Sequence, residues 1–193
     1  MVDRDAVAAF RARALNPNRP VMRGSHENGD VFFQNREASN PYYDALPGIV
    51  EEYMAMINAR LGTNYGLFNY VGAPDAERVV VAMGSVCDAA EEVVDYLAAR
   101  GEKVGLVKVR LYRPFCPDKL AAAIPLTVKK VAVLDRTREP GSQGEPLYMD
   151  VVTALAGEGR GNIAVCGGRY GLGSKDTPPA DIFAVFEELQ KAR

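Results

Sequence analysis

From residue 78 onward, short apolar runs alternate with longer segments in which apolar side chains recur at every third or fourth position. The run VVVAM at residues 79–83 is continuous, as a strand buried on both faces requires. Apolar residues between 86 and 97 then lie at helical spacing and predict a helix with one apolar face. Ser85 and Gly101 stand where an N-cap and a C′ residue belong, so this helix is predicted to lie between them.

Three more strand and helix pairs follow the first. The strands are predicted at residues 104–109, 131–134 and 162–166, and the helices at 117–125, 145–157 and 179–191. Such a series predicts right-handed crossovers and helices on both faces of a sheet. A further strand is predicted at residues 67–71, at an edge of the sheet. The predicted fold is therefore α/β, a three-layer α/β/α arrangement with a mostly parallel sheet of about five strands.

The first 65 residues lack this regularity. They hold turn-rich segments, an extended segment at 31–34 and one helix at 47–61. Tyrosines are concentrated in the first 77 residues, and aromatic side chains favour interfaces. They are Tyr42, Tyr43, Tyr53, Tyr65 and Tyr70. The sequence predicts an irregular arm with one helix over residues 1–65, packing on the core or on a neighbour, and an α/β domain over residues 66–193.

The composition narrows the classes of function. The chain has 193 residues, 48% of them hydrophobic, and a formal net charge of -2, so it lacks the basic excess of a dedicated nucleic-acid binder. No apolar run approaches the roughly 20 residues of a membrane span, and the N-terminus does not resemble a signal peptide. One histidine and three widely spaced cysteines predict reduced thiols, no metal site and a cytoplasmic protein.

The residues that follow the predicted strands carry the candidate chemistry, because ligands of open α/β sheets lie at the carboxyl ends of the strands. These candidates are Gly84, Ser85, Arg110, Arg113, Arg136 and Arg169. Together they would form an anion site or a docking edge. The alternative interpretation is that the arginines form structural ion pairs, with Asp135, Glu139, Glu145 and Asp176 as the available carboxylates.

Other kinds of chemistry find little support. The glycine-rich loop before Ser174 and Lys175 resembles a phosphate-binding loop, but such a loop requires the lysine before the hydroxyl residue. Cys87 is expected to be a small core residue in the first turn of a helix. The single His26 lies in the irregular arm, so no Ser-His or Cys-His dyad is predicted. We predict no catalytic residue in this chain.

Five longer stretches carry a family resemblance. They read VFFQNREASNPYYDALPGIVEEYM, GTNYGLFNYVGAPDAERVVVAMGSVCDAAEEVVDYL, GEKVGLVKVRLYRPF, KKVAVLDRTREPGSQGEPLYMDVVTAL and GGRYGLGSKDTPPADI. Over about residues 12–190 the chain strongly resembles pyruvate:ferredoxin (flavodoxin) oxidoreductase. Because that family's chains are several times longer, the resemblance implies an excised internal piece, domain II, similar to the C-terminal domain of transketolase. The family's usual RGTAQN is RGSHEN here, at residues 23–28, so no contact of the arm is carried over.

The resemblance implies an enzyme that converts pyruvate to acetyl-CoA and CO2 with thiamine diphosphate, Mg and [4Fe-4S] clusters, and that reduces ferredoxin or flavodoxin. In the family these cofactors are held by other domains, and coenzyme A is a substrate. This chain is therefore expected to bind no cofactor alone and to act as a structural module. Its partners would be the other domains and the homodimer mate. The alternative is that the strand-end arginines contact coenzyme A phosphates or pyruvate.

Overall fold

The computed structural model describes residues 2–21, 24 and 26–191. Its internal contacts divide the chain into two compact units, one ending at Asn40 and one beginning at Pro41. The predicted boundary at residue 65 therefore falls inside the second unit. Part of the segment at residues 23–28, where the sequence departs from the family pattern, lies outside the described residues.

The first unit is more helical than the sequence predicts. It contains α1 (Arg4–Ala12) and α2 (Gly29–Glu37), so the prediction of an extended segment at 31–34 is wrong, and so is that of an arm with one helix. The reason is local capping, since Asn28 Oδ1 accepts the Val31 N–H at 3.4 Å and begins α2. Asp3 caps α1 in the same way.

A long helix, α3 (Asn40–Leu61), belongs to the second unit in all but its first residue. The sequence predicts the start of this helix at Pro47, because proline is favoured in the first helical turn. Instead the seven residues before Pro47 are already helical, and the proline lies inside the helix. There it removes one backbone hydrogen bond without ending the helix.

A mostly parallel five-stranded sheet forms the centre of this unit, which confirms the predicted fold class. The strands are β1 (Phe68–Gly72), β2 (Arg78–Met83), β3 (Val104–Val109), β4 (Lys130–Asp135) and β5 (Ala164–Arg169). Their order is β1-β3-β2-β4-β5. The edge strand β1 runs antiparallel to β3, and the other pairs are parallel.

Two layers of helices cover the sheet. They consist of α4 (Val86–Ala98), α5 (Pro117–Ala123), α6 (Pro146–Gly157) and α7 (Pro179–Gln190). Alternate residues of β2 divide between two cores: Val79 and Val81 pack with α5 and α6, whereas Val80 and Ala82 pack with α4 and α7. This alternation follows from the pleat of a strand and accounts for the continuous apolar run that predicts it.

The ends of α4 match the sequence prediction only in part. Gly101 has φ +84°, its N–H bonds to Ala98 O at 2.9 Å, and the Glu102 N–H bonds to Leu97 O at 3.1 Å. These two bonds form a Schellman motif and confirm Gly101 as the C′ residue. Ser85 occupies the N-cap position, but its side chain makes no capping bond because its backbone is already helical.

Strand β5 begins two residues later than predicted and runs through Gly167 and Gly168. Both glycines pair with β4 and lie close to large side chains. A Cβ at Gly168 would be 2.8 Å from Leu134 Cδ2, and one at Gly167 would be 3.2 Å from Tyr148 Cδ2. Glycine here permits close packing, so the strand continues where glycine usually marks a loop.

Gly105→Ala tests the packing of the edge strand. A Cβ at Gly105 would lie 2.6 Å from Cζ of Tyr70, whose hydroxyl donates to Ala73 O. We expect the substitution to lower the free energy of unfolding by about 1–3 kcal/mol in urea titrations. Gly157→Ala is the matched control, because nothing lies within 4 Å of a Cβ there. An equal effect of the two substitutions would contradict this role of Gly105.

Candidate functional site at the carboxyl edge of the sheet

The topology brings the loops after β2, β3, β4 and β5 to one edge of the sheet. The chain passes from β2 to β3 on one side and later from β3 to β4 on the other side of β2. The switch in direction therefore lies between β2 and β4, where open α/β sheets usually place a ligand. Gly84 and Ser85 follow β2, and Arg136 follows β4.

Asp135 is the last residue of β4 and is 2% exposed. Its carboxylate accepts the backbone N–H groups of Leu147 at 2.9 Å and Tyr148 at 3.1 Å, both in the first turn of α6. Burial raises the pKa of Asp135, while these two bonds act in the opposite direction. The carboxylate thus caps α6 from the end of a neighbouring strand.

Glu145 is a second buried carboxylate, just before α6. It accepts the Glu139 N–H at 2.7 Å, Arg138 Nη1 at 3.3 Å and Arg169 Nε in a shorter bond. The bond from Arg169 lowers the pKa of Glu145. Arg169 therefore forms a structural ion pair, which is the alternative to an anion-binding function given in the sequence analysis.

Arg113 is also engaged. Its Nη2 lies 2.7 Å from Asp150 Oδ2 on α6, and its guanidinium stacks 4.0 Å from the centre of the Tyr112 ring. The same nitrogen donates to the Tyr112 hydroxyl at 3.1 Å. Asp150 is a partner that the sequence analysis does not name.

Arg110 lies toward the β1 side of the edge. Its Nε donates to Asn69 Oδ1 at 2.7 Å, and its guanidinium carbon lies 4.6 Å from the centre of the Tyr65 ring. Arg110 also lines a cavity of about 380 Å³, together with Gly84, Ser85 and other residues at the start of α4. No carboxylate among the described residues forms an ion pair with it.

Arg136 faces a different cleft. Its Nε donates to Gly171 O at 3.1 Å. The cleft has a volume of about 180 Å³, and Ser85 and Lys175 also line it. The structure therefore brings Ser85, Arg136 and Lys175 together, places Gly84 and Arg110 in the adjoining cavity, and ties the other two candidate arginines to carboxylates.

Lys175 lines the same cleft as Arg136. It is not among the candidate residues predicted at the strand ends. A turn with left-handed residues at Gly171, Gly173 and Ser174 places it beside Arg136. The order of serine and lysine argues against the sequence motif of a phosphate-binding loop, but it carries no information on which strand end the lysine approaches. The available signal was the pair of glycines that allow the turn.

The described residues offer no support for a metal or cluster site. No three histidine, cysteine, aspartate or glutamate side chains converge within residues 2–21, 24 and 26–191. Cys87 and Cys116 are buried and Cys166 is partly buried, on separate elements. Burial raises the pKa of Cys87, so its thiol does not resemble an activated nucleophile. We therefore derive no catalytic step from this chain.

These features define an α/β domain whose carboxyl edge carries several arginines, two of the four candidates being paired with carboxylates. Residues 76–182 match the family described as pyruvate:ferredoxin oxidoreductase core domain II. The chain belongs to this family.

Individual relatives agree with the family match. Pyruvate:ferredoxin oxidoreductase of Moorella thermoacetica is 58% identical over 98% of this chain and 16% of its own length. Pyruvate-flavodoxin oxidoreductase of Rhodospirillum rubrum is 57% identical over 100% of this chain and 17% of its own length. The chain thus spans about a sixth of these relatives. A solved 2-oxoglutarate:ferredoxin oxidoreductase from Magnetococcus marinus aligns with 69% of this chain and 21% of its own, at 21% identity and a TM-score of 0.48.

Asp135→Ala tests the cap on α6. The substitution leaves the N–H groups of Leu147 and Tyr148 without their acceptor, and we expect the free energy of unfolding to fall by about 1–3 kcal/mol. Asp95→Ala, at an exposed position of α4, should change it by less than about 0.5 kcal/mol. Urea unfolding of the three proteins measures both values. The cap would be disproved by equal values for the two variants.

Glu145→Gln tests the ion-paired carboxylate through its pH dependence. The folded pKa of Glu145 lies below its ordinary value of 4.5, so the charged form stabilises the fold above that pH. That contribution is lost as the pH falls through the lower, folded pKa. We expect wild type to exceed the variant in Tm at pH 7 and the difference to shrink below pH 4.5. A Tm difference that is constant from pH 7 to pH 3 would contradict this role, and Glu92→Gln controls for the change in charge.

Proposed function

We propose that this chain is the part of a pyruvate:ferredoxin or pyruvate:flavodoxin oxidoreductase that packs against other domains, without an active site of its own. The whole enzyme would oxidatively decarboxylate pyruvate to acetyl-CoA and CO2. It would reduce ferredoxin or flavodoxin in the cytoplasm. Family membership supports the assignment to such an oxidoreductase. The helices before the sheet, which contain no fully buried residue, support the packing against other domains.

The observation that carries the interface function is that α1, α2 and α3 bury no residue. Helices in proteins are stabilised mainly by packing of an apolar face. Most of the exposed large apolar side chains nevertheless lie on or near these three helices. They include Phe10, Leu15, Phe32, Phe33, Tyr42, Tyr43, Ile49, Tyr53, Met56 and Leu61. Such a concentration favours a surface that another domain covers.

Helix α3 shows the arrangement most clearly. Tyr42, Ile49, Tyr53 and Met56 are all exposed, and their spacings of seven, four and three residues place them on one side of the helix. One ion pair, Lys119 Nζ to Glu51 Oε1 at 3.0 Å, connects α3 to α5. A continuous apolar stripe on a helix of 22 residues is suited to packing against a neighbouring helix or domain.

The partners of this surface would be other domains of the same oxidoreductase and its homodimer mate. Thiamine diphosphate, Mg and [4Fe-4S] clusters would be held by those other domains, as the family resemblance implies. Ferredoxin or flavodoxin would interact with the whole enzyme. This chain would hold the neighbouring domains in position by providing a contact surface for them.

A second function is supported for two of the four candidate arginines. Arg113 and Arg169 form ion pairs with carboxylates, whereas Arg110 and Arg136 line cavities at the carboxyl edge. Arg110 and Arg136 are therefore the two candidates that would contact an anionic group of coenzyme A or pyruvate. Arg113 and Arg169 would instead hold α6 and its preceding loop in place.

Tyr53→Ser tests the interface in the intact oxidoreductase that contains this chain. If another domain covers Tyr53, we expect the substitution to lower the protection of α3 amides from hydrogen exchange by about 3 kcal/mol. In the 193-residue chain alone, where Tyr53 is 51% exposed, the same change should have little effect on α3. Mass spectrometry of both proteins measures the two values.

Leu126→Ser is the matched control, because Leu126 is 93% exposed and lies in the loop before β4. It should leave exchange of α3 unchanged in both proteins. If Tyr53→Ser and Leu126→Ser behave alike in the intact oxidoreductase, α3 is not an interface helix.

A further inference from the structure

The cleft beside Arg136 has features that neither ion pairing nor domain packing uses. It lies between the first turn of α4 and the loop at residues 171–177, and its volume is about 180 Å³. Its polar lining residues are Ser85, Arg136, Tyr170, Ser174, Lys175, Asp176 and Thr177. All of them belong to the second compact unit, so the cleft is complete without the first unit.

Arg136 is held in a fixed orientation at this cleft. Its Nε donates to Gly171 O at 3.1 Å, and no described residue accepts a hydrogen bond from Nη1 or Nη2. A Cβ at Gly171 would lie 3.0 Å from Arg136 Nε, and Gly171 has φ +60°, so glycine is needed for this close approach. A guanidinium anchored at Nε presents its two Nη groups as a planar fork for two oxygens of one anion.

Lys175 supplies a second cation. Within the described part of the chain Lys175 forms no ion pair, whereas Arg113, Arg138 and Arg169 each contact a carboxylate. Asp176 is the one carboxylate in the lining, and it lies beyond ion-pair distance from both cations. With two positive charges against one negative, the cleft is locally positive in a protein whose net charge is -2.

We propose that this cleft binds the phosphate group of a phosphomonoester. The Arg136 fork would take two phosphate oxygens, and Lys175 would neutralise the second charge of the dianion. The hydroxyls of Ser85 and Thr177 are available as further donors, since Ser85 makes no capping bond. A carboxylate ligand could bind the Arg136 fork, but it has too few oxygens and too little charge to engage Lys175 and the hydroxyls as well. Phosphate is therefore the better fit.

Asp176 narrows the class of ligand. A carboxylate beside a phosphate site would repel free phosphate, but it can accept a hydroxyl from the group that carries a phosphate ester. This favours an ester on a polyol such as ribose over inorganic phosphate. Free phosphate and a ribose phosphate would both bind the two cations, but the ribose phosphate should bind with higher affinity. This inference rests on the second function proposed above, contact of Arg136 with an anionic group, and not on the interface function of α3.

A titration of the 193-residue chain followed by ¹H–¹⁵N NMR tests the proposal. The probes are inorganic phosphate, adenosine 3′-monophosphate, adenosine and acetate, at constant ionic strength adjusted with sodium chloride. We expect saturable shifts of the Ser85, Val86 and Lys175 amides with both phosphates. The nucleotide should bind more tightly than inorganic phosphate, and adenosine should cause no such shifts.

Variants locate the binding. Arg136→Gln and Lys175→Met should each raise the Kd for inorganic phosphate by about tenfold, as expected for loss of one charge-assisted hydrogen bond. Arg113→Gln and Lys129→Met remove the same charges from ion-paired positions elsewhere and should change the Kd by less than about twofold. The NMR spectrum of each variant also reports whether the fold is intact.

Three results would overturn the proposal. Phosphate could cause no saturable shifts at the cleft, acetate could bind as tightly as phosphate, or the Arg113 and Lys129 controls could lose as much affinity as the cleft variants. Inorganic phosphate that binds as tightly as the nucleotide would remove the role given to Asp176 and the polyol. The Tyr53 exchange experiment is unaffected by any of these outcomes, so the two proposals fail separately.

Discussion

The carboxyl edge depends on the buried Asp135 carboxylate, which connects the end of β4 to the start of α6. A helix start has backbone N–H groups without partners, and a buried strand end can provide an acceptor for them. Glu145 extends this connection, because it joins the loop after β4 to Arg169 at the end of β5. Two carboxylates therefore fix two strands, one loop and one helix relative to one another.

Carboxylates in and near α6 divide the four candidate arginines into two groups. In the sequence the four strand-end arginines are equivalent, since each follows a strand of the same sheet. In the structure Arg113 and Arg169 are the counterions of acidic residues near α6, so their charge is already compensated. Arg136 is instead anchored to a backbone carbonyl, which orients its guanidinium without neutralising it. The four arginines are thus distinguished by their partners in the structure, which their equivalent places in the sequence do not reveal.

Sequence patterns predict the sheet well because its strands are continuous apolar runs between turn residues, and Gly101 ends α4 as expected. They fail at residues 31–34, where a short apolar run fits either a strand or a helix and the Asn28 cap decides for helix. At the edge they identify the strand-end residues but not the partners. Asp150 and Lys175 lie far along the chain from the arginines that they approach. Such long-range pairing is not visible in local periodicity.

The apolar core and most of the exposed apolar side chains lie in different parts of this chain. The sheet unit has a closed apolar core on each face, and its strands need no outside contact to bury their side chains. The helices before the sheet contain no fully buried residue, yet they carry Phe10, Phe33 and Tyr42 at 69–79% exposure. Burial of one such side chain contributes roughly 1.5–3 kcal/mol, so a few of them suffice to hold a domain interface. The second unit thus has the apolar core that its own fold requires, and the exposed apolar side chains before the sheet are those that the proposed contact with other domains would use.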